Sequence, residues 1–332
     1  VQLGISYDGS EPPQALLSLA DAADASNCVN MWIATHLFFR EPIACAAATL
    51  AATRRLGIVL MAMSPYTVNP IYAAMAAATL EELYPGRVQL CFGMGAPREL
   101  EAAGIVPEKP LQTLREAIEV ARLLLTGELV NFQGQQYRIA GRRLATGARP
   151  LPLWLAASGP QMLQMAGEVA DGIVISAGTS PQFIAWSLDL VRAGEERAGR
   201  SIKKAALALC SVDDDGRVAN GRVRRRLAYV LRGEHHARNL RLAGSELDQE
   251  ALSRAFAEEN WERVDELMTD DVVQRHCASG TPDRVVEMAR AYSGAGLDEI
   301  IAYGMQGREQ IDRVLAILGA QAEPAPATKI GR

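Results

Sequence analysis

Long apolar runs, paired cysteines and grouped metal ligands are all scarce in this 332-residue chain. No window approaches the roughly 18 unbroken apolar residues of a membrane-spanning helix, so no such span is expected. The five cysteines, Cys28, Cys45, Cys91, Cys210 and Cys277, are dispersed with no C-x-x-C pair. An odd, scattered set predicts reduced, mostly buried thiols in the cytoplasm rather than a disulfide framework or a zinc site. There are only four histidines. With no H-E-x-x-H, paired-Asp motif or Cys/His cluster, no metal is expected. G-x-S-x-G is absent, which argues against a serine hydrolase of that type. The net charge of −5 and pI near 5.6 lack the basic footprint of a nucleic-acid binder. The opening VQLGISYDG reads as a strand and turn, not as a basic segment leading into a signal core.

What the chain does have is alternation. Short apolar runs, rich in β-formers and without polar alternation, suit parallel strands covered on both faces. They lie at Leu3–Tyr7, Met31–Ala34, Leu56–Met63, Val88–Gly93, Leu153–Ala157, Gly172–Ser176, Ala205–Ser211 and Glu299–Tyr303. Helical patterns intervene, several of them opening on proline, as a first helical turn allows. Eight such units predict a (β/α)8 TIM barrel, an α/β fold, over residues 1–319. A Rossmann sheet would want a glycine-rich turn after the first strand, where this chain has DGSEPP.

Three segments interrupt the alternation. Gly95–Pro110 reads as a loop over a site, and VNFQGQQYRIAG as a hairpin. Asp213–Ser279 reads as a charged helical insertion. Its stretch GRVRRRLAYVLRGEHHARNLR carries seven arginines. That stretch suits a polyanion-binding face or a solvated helix, and the acidic residues from Glu246 to Asp271 favour the second. The Ala/Pro-rich tail, 320–332, is expected to be disordered.

In a barrel of this kind the site lies at the C-terminal ends of the strands. His36 follows the second strand, with a side chain suited to proton transfer at neutral pH. Gly93-Met94-Gly95 follows the fourth and permits close approach to a flat ligand. Ala157-Ser158-Gly159-Pro160 follows the fifth, where a strand opening on Gly-Pro leaves helix-start amides free for an anion. The remaining histidines, His235, His236 and His276, show no regular partner spacing. A mouth so poor in reactive groups points to borrowed cofactor chemistry.

The run TRRLGIVLMAMSPYTVNPIYAAMAAATLEELYPGRVQLCFGMG is joined in this by WIATHLFFREP, WLAASGPQMLQMAGEVADGIVIS and SGTPDRVVEMARAYSGAGLDEII. Together they resemble the bacterial luciferase-like superfamily of flavin- and F420-dependent oxidoreductases, and within it the methylenetetrahydromethanopterin reductase-like branch. The resemblance implies a barrel holding FMN or coenzyme F420 at its C-terminal mouth and passing hydride between the reduced cofactor and a small organic substrate. It places Thr35 and His36 near the ring, with His36 as the catalytic residue. It places Met61-Ala62 at a strand-three bulge, often a non-prolyl cis peptide, behind the ring. Gly93, Met94 and Gly95 lie beside the ring, and Ala157, Ser158 and Gly159 at the cofactor phosphate. Relatives that use F420 usually carry Asp at the position of Thr35 and often an acid at that of Ala96; Glu99 and Glu101 are the nearby substitutes. The alternatives are an FMN-dependent monooxygenase using oxygen, a flavin-independent nicotinamide- and pterin-dependent reductase, and a non-catalytic flavin-binding barrel. NAD(P)H as electron source, a separate flavin reductase and a homodimer packed through Ala-rich helices such as Ile71–Leu83 complete the expectations; no nucleic-acid or membrane partner is expected.

Overall fold

The computed structural model describes residues 1–323. Its strands, in chain order, are β1 (Gln2–Tyr7), β2 (Cys28–Ala34), β3 (Gly57–Met63), β4 (Val88–Gly93), β5 (Val130–Gln133), β6 (Arg138–Arg142), β7 (Leu153–Ala156), β8 (Gly172–Ile175), β9 (Lys203–Val212), β10 (Ala278–Gly280) and β11 (Glu299–Tyr303). Eight of them form a closed parallel barrel in the order β1, β2, β3, β4, β7, β8, β9, β11. Pairing of β11 with β1 (Leu3↔Ile300) and of β8 with β9 (Val174↔Ala205) leaves no free edge in the wall. All eight apolar runs in the sequence become these strands. β5 and β6 form a separate antiparallel hairpin, and β10 adds a short outer strand to β9.

Eight helices carry proline in their first turn, at Pro13, Pro42, Pro70, Pro97, Pro110, Pro160, Pro181 and Pro282. The missing donor costs nothing there, because a first-turn N–H has no intrahelical acceptor. Proline therefore starts helices on cue after the strands without weakening them.

Alternate residues of each strand face the barrel interior, and on β2, β4 and β7 their size falls toward the strand ends. Trp32, Cys91 and Trp154 fill the lower interior, the two indoles meeting edge to face with centroids 5.0 Å apart. Two residues further along the same strands stand Ala34, Gly93 and Ala156. The indoles plug the lower barrel, and the inward positions above them on β2, β4 and β7 are small.

A polar chain crosses the plug. Trp154 donates to Gln89 Oε1 (2.7 Å), Gln89 to Asn30 Oδ1 (3.0 Å), and Asn30 to Glu299 Oε2 (3.0 Å); Trp32 donates to Glu299 Oε1 (2.8 Å). Indoles only donate, so an indole at each end fixes the direction of every bond between them. Residue 299 must accept on both side-chain oxygens, which a carboxyl does and a glutamine cannot. Full burial pushes the Glu299 carboxyl up to about 7, despite the two donated bonds that act the other way. Beneath this chain a cavity of about 420 Å³, lined by Asn30, Gln89, Trp154, Lys203 and Glu299 among others, opens at the N-terminal end.

Between β9 and β10, helices Gly216–Leu231, Ala237–Ala243, Gln249–Ala257, Trp261–Leu267 and Asp270–His276 pack around their own core of Val223, Leu227, Leu252, Val264, Met268 and Val273. Most arginines expected in solvent here are paired: Arg217 with Asp215, Arg222 with Asp213, Arg224 with Asp270, Arg225 with Asp265. The histidines without partner spacing in sequence meet in space. Asn239 donates to the Gly178 carbonyl (2.7 Å) and accepts from Ser180 N (2.9 Å). His276 Nδ1 lies 3.0 Å from the same carbonyl and its Nε2 lies 2.8 Å from Ser245 Oγ, while His236 Nδ1 lies 3.4 Å from Asn239. These contacts tie the insertion to the loop after β8. At the C-terminal end, Glu323 N donates to the Val1 carbonyl (3.0 Å). The rest of the tail, residues 324–332, lies outside the described residues.

Burial holds His236 at about 3 and His276 at about 4, so both fold neutral. A histidine whose folded pKa is depressed stabilises fully above its unfolded value near 6.5 and loses that as pH falls below it. Glu299, raised to about 7, works oppositely, stabilising as pH falls from 7 toward the unfolded value near 4.5. Two histidines outweigh one carboxyl. Urea unfolding at pH 5 should show about 1–2 kcal/mol less stability than at pH 7.5, and Glu299→Gln should steepen that loss to about 4 kcal/mol. Equal pH dependence in the two proteins would contradict this assignment of buried charge.

Candidate active site

At the C-terminal end of the barrel the sequence-singled residues fall on four neighbouring strands of the wall: β2, β3, β4 and β7. After β2, His36 is half-buried, and its Nδ1 lies 2.7 Å from Glu99 Oε1. The other Glu99 oxygen accepts from Leu37 N at 2.9 Å. Two anchors fix the carboxylate, and the carboxylate fixes the ring. With Nδ1 engaged, Nε2 is the nitrogen left for a ligand. Phe39 packs beside the ring, centroids 5.6 Å apart.

Glu99 sits on a short helix, Pro97–Ala102, inside what the sequence presents as a loop; buried Leu100 anchors it. Of the two acids considered there, Glu99 reaches His36 and Glu101 is exposed on the surface. Thr35 faces β3 instead, its N–H donating to the Met61 carbonyl and its hydroxyl to Met63 Sδ (3.4 Å).

The Met61–Ala62 peptide is cis, and the β3–β4 register shifts between Leu60 and Met63. Both side chains belong to the interior cluster. A Cβ placed on Gly93 would lie 2.8 Å from the Ala62 Cβ and 3.2 Å from the Ala156 Cβ, so glycine alone fits there. Gly95 has φ +86°, and Ser64 Oγ donates to the Met94 carbonyl (2.8 Å), joining the β3 and β4 loops.

After β7, Ala157, Ser158 and Gly159 are half-buried. Gly159 caps helix Pro160–Val169 without a side-chain bond. The comparable turn after β8 is closed by its own residue, Ser180 Oγ accepting from Phe183 N at 3.2 Å. Among the described residues nothing accepts from the N–H groups of Ser158, Gly159, Gln161 or Met162. No atom outside the adjoining residues comes within 4 Å of a Cβ built on Gly159. The turn is open in both hydrogen bonding and space.

Sequence reasoning passed over Ser6 and Ser176. Both hydroxyls are buried and unpartnered, and alternation from the interior residues Gly4 and Val174 turns them inward. Strand parity carried that signal. Across the mouth, Asp8 lies 3.5 Å from the Tyr303 hydroxyl and 3.7 Å from Arg226, whose guanidinium stacks 5.2 Å from the Tyr303 ring. Burial pushes the Tyr303 hydroxyl up to about 12.

A family model described as luciferase-like monooxygenase matches residues 2–299. The chain belongs to this family. The chain is 30% identical to 5,10-methylenetetrahydromethanopterin reductase of Archaeoglobus fulgidus, covering 88% of this chain and 90% of that protein. It is 29% identical to an F420-dependent glucose-6-phosphate dehydrogenase of Nakamurella multipartita, over 96% and 94% of the two chains. In fold it is similar to the coenzyme F420-dependent tetrahydromethanopterin reductase of Methanopyrus kandleri, with a TM-score of 0.88, 22% identity, and 97% and 98% of the chains covered. Like these relatives, this luciferase-like protein is an oxidoreductase.

The open geometry at Gly159 and the tight geometry at Gly93 predict different substitution effects. Gly159 has φ −83°, which any residue adopts. Gly159→Ala should therefore change stability by less than about 1 kcal/mol. If the turn holds an anion, its affinity should fall severalfold by displacement titration. Gly93→Ala should cost about 1–3 kcal/mol through overpacking against Ala62, read by urea unfolding. A destabilised Gly159→Ala beside a neutral Gly93→Ala would reverse the account.

Proposed function

We propose that the C-terminal mouth of the barrel binds F420 or FMN and that the protein transfers hydride between the reduced cofactor and a small organic substrate. The observation that carries this reading is the open helix start at Gly159, at the same end of the barrel as the small residues Ala34, Ala62, Gly93 and Ala156. Free amides with the positive end of the helix dipole suit a phosphate, and the small floor suits a flat ring. The cofactor supplies the hydride.

The chain's own residues do the rest. Met61 and Ala62 back the ring from one side, and the backbone at Gly93 to Gly95 admits its edge. The Ser6 and Ser176 hydroxyls offer polar contacts that nothing in the protein satisfies. His36 holds a proton at Nε2 and delivers it to, or takes it from, the substrate. Glu99 fixes the tautomer by accepting from Nδ1 and stabilises the charged ring, as a buried carboxylate does for a catalytic histidine. The carboxylate at 99 supplies near the ring what Ala96 cannot. The F420-dependent relative of Nakamurella multipartita favours F420, and the family's description as a monooxygenase favours the oxygen-using alternative with FMN. In that second reading reduced FMN comes from NAD(P)H through a separate flavin reductase. The five free cysteines suit a cytoplasmic setting, and no helix among the described residues is long and apolar enough to cross a membrane.

The protein also presents an apolar face suited to a homodimer. Helix Pro42–Ala52 turns Ala44, Ala48 and Ala51 outward, and helix Pro70–Leu83 exposes Tyr72, Met75, Thr79 and Leu83. No charge falls between Pro42 and Thr53 or between Pro70 and Leu80. Faces of this kind mark interaction surfaces.

Titration with F420 and FMN should give micromolar binding of at least one; binding of neither sinks the reading. With the bound cofactor reduced, substrate-dependent oxygen uptake would assign the monooxygenase reaction, and turnover without oxygen the hydride transfer. Glu99→Gln should lower kcat about 10- to 100-fold, displace the pH profile and leave cofactor affinity unchanged. On the outer face, Met75→Glu should shift the sedimentation coefficient from dimer to monomer.

A further inference from the structure

Most charges of the insertion are paired, but Arg232, Arg238 and Arg241 have no carboxylate within 4 Å among the described residues, and Arg232 is the one whose charge meets that of an arginine from the barrel side. Arg232 follows helix Gly216–Leu231, and its guanidinium packs against two aromatic faces, 4.4 Å from the Tyr229 centroid and 4.2 Å from the Phe256 centroid. Its Nε donates to the Tyr229 carbonyl at 3.2 Å. Rings on its faces and a carbonyl at Nε leave its two terminal nitrogens as the free edge, the part of a guanidinium that grips a carboxylate or phosphate in a bidentate manner.

Arg98 approaches the same surface from the barrel side. It lies on the short helix Pro97–Ala102, next to the Glu99 that holds His36, and its Nη2 reaches Ser253 Oγ at 3.4 Å. Ser253 and Phe256 stand three apart on helix Gln249–Ala257, hence side by side on one face. Phe256 carries Arg232, and Ser253 receives Arg98. No carboxylate among the described residues lies within 4 Å of either guanidinium as an ion-pair partner, whereas Arg222, Arg224, Arg225 and Arg226 each have one. Burial, reinforced by the positive charge of Arg98, pushes Arg232 below its usual range. Two unneutralised cations held side by side repel each other, and an anion between them removes that cost.

We propose that Arg98 and Arg232 form an anion clamp at the rim of the barrel mouth, taking a carboxylate or phosphate group of a ligand that reaches from the site to the insertion. The inference rests on the proposed site in the mouth, since that site supplies the ligand. The clamp has a structural consequence: an anion there bridges the insertion to the helix that holds Glu99 against His36, so ligand charge and histidine placement are joined through one six-residue helix. The anion has two sources of the same chemistry, the substrate or an acidic part of the cofactor.

The test uses inorganic phosphate as probe, against sodium chloride at matched ionic strength, in the wild type, Arg98→Met and Arg232→Met. Methionine keeps the stem packing and removes the charge. Phosphate should raise the melting temperature of the wild type beyond the chloride control, and each variant should lose that increment. Only the difference between wild type and variants counts, because phosphate also suits the Gly159 turn. The same increment in all three proteins overturns the clamp. Cofactor titrations then locate the source. A loss of affinity of about tenfold or more in both variants assigns the anion to the cofactor. Unchanged cofactor affinity with a lost phosphate increment assigns it to the substrate. Failure of the cofactor reading shows separately, as wild-type protein that binds neither F420 nor FMN yet keeps the arginine-dependent phosphate effect.

Discussion

The absence of a side chain at Gly93 is the constraint on which the upper barrel depends. Ala62 presses from β3 and Ala156 from β7, and the space between them admits no methyl group. Protein interiors are close-packed, so a barrel of this width is filled by side chains unless the inward positions are small. Here β2 and β7 carry indoles low in the barrel and alanine two residues later, and β4 carries Cys91 followed by Gly93. The lower indoles cannot be buried without partners for their N–H groups, and the chain from Trp154 through Gln89 and Asn30 to Glu299 provides them.

Most of the wall was legible in the sequence because buried parallel strands are locally encoded as short apolar runs, and proline marks where a following helix may begin. The Ser158-Gly159-Pro160 turn was legible for the same reason: strand end, glycine and first-turn proline are contiguous. The partner of His36 was not, since 63 residues separate it from Glu99. Spacing also hid the histidine cluster, in which His236 and His276 meet only because Asn239 and the Gly178 carbonyl lie between them. In Gly95–Pro110, proline and glycine signalled a loop. A buried Leu100 and a twice-anchored Glu99 nevertheless organise its start into helix.

The insertion shows why counting charge misleads where pairing decides. Seven arginines in one stretch resemble a polyanion face, yet carboxylates from the same insertion and from Asp8 of β1's loop neutralise several of them. Surface pairs of this sort contribute little stability individually. Their effect is to cancel a diffuse positive field, so that whichever guanidinium is left unpaired acts locally. Arg232 is one such residue on the insertion, along with Arg238 and Arg241, and aromatic stacking rather than an ion pair holds it in place.

The helix Pro97–Ala102 therefore occupies a singular position. Consecutive residues on it point to different tasks: Glu99 inward to His36, and Arg98 outward to the insertion. Six residues cannot sustain a helix through propensity alone, so its placement depends on these side-chain contacts and on Leu100. Anything that moves the insertion relative to the barrel moves the helix, and with it the carboxylate that orients the histidine ring. The insertion is in turn tied to the loop after β8 by neutral histidines. A line of contacts thus runs from Gly178 to the insertion by hydrogen bonds, across the insertion through its apolar core, and from Ser253 through Arg98 and the helix backbone to Glu99 and His36. The insertion is thereby coupled to the geometry of the mouth without contributing a side chain to the His36–Glu99 pair.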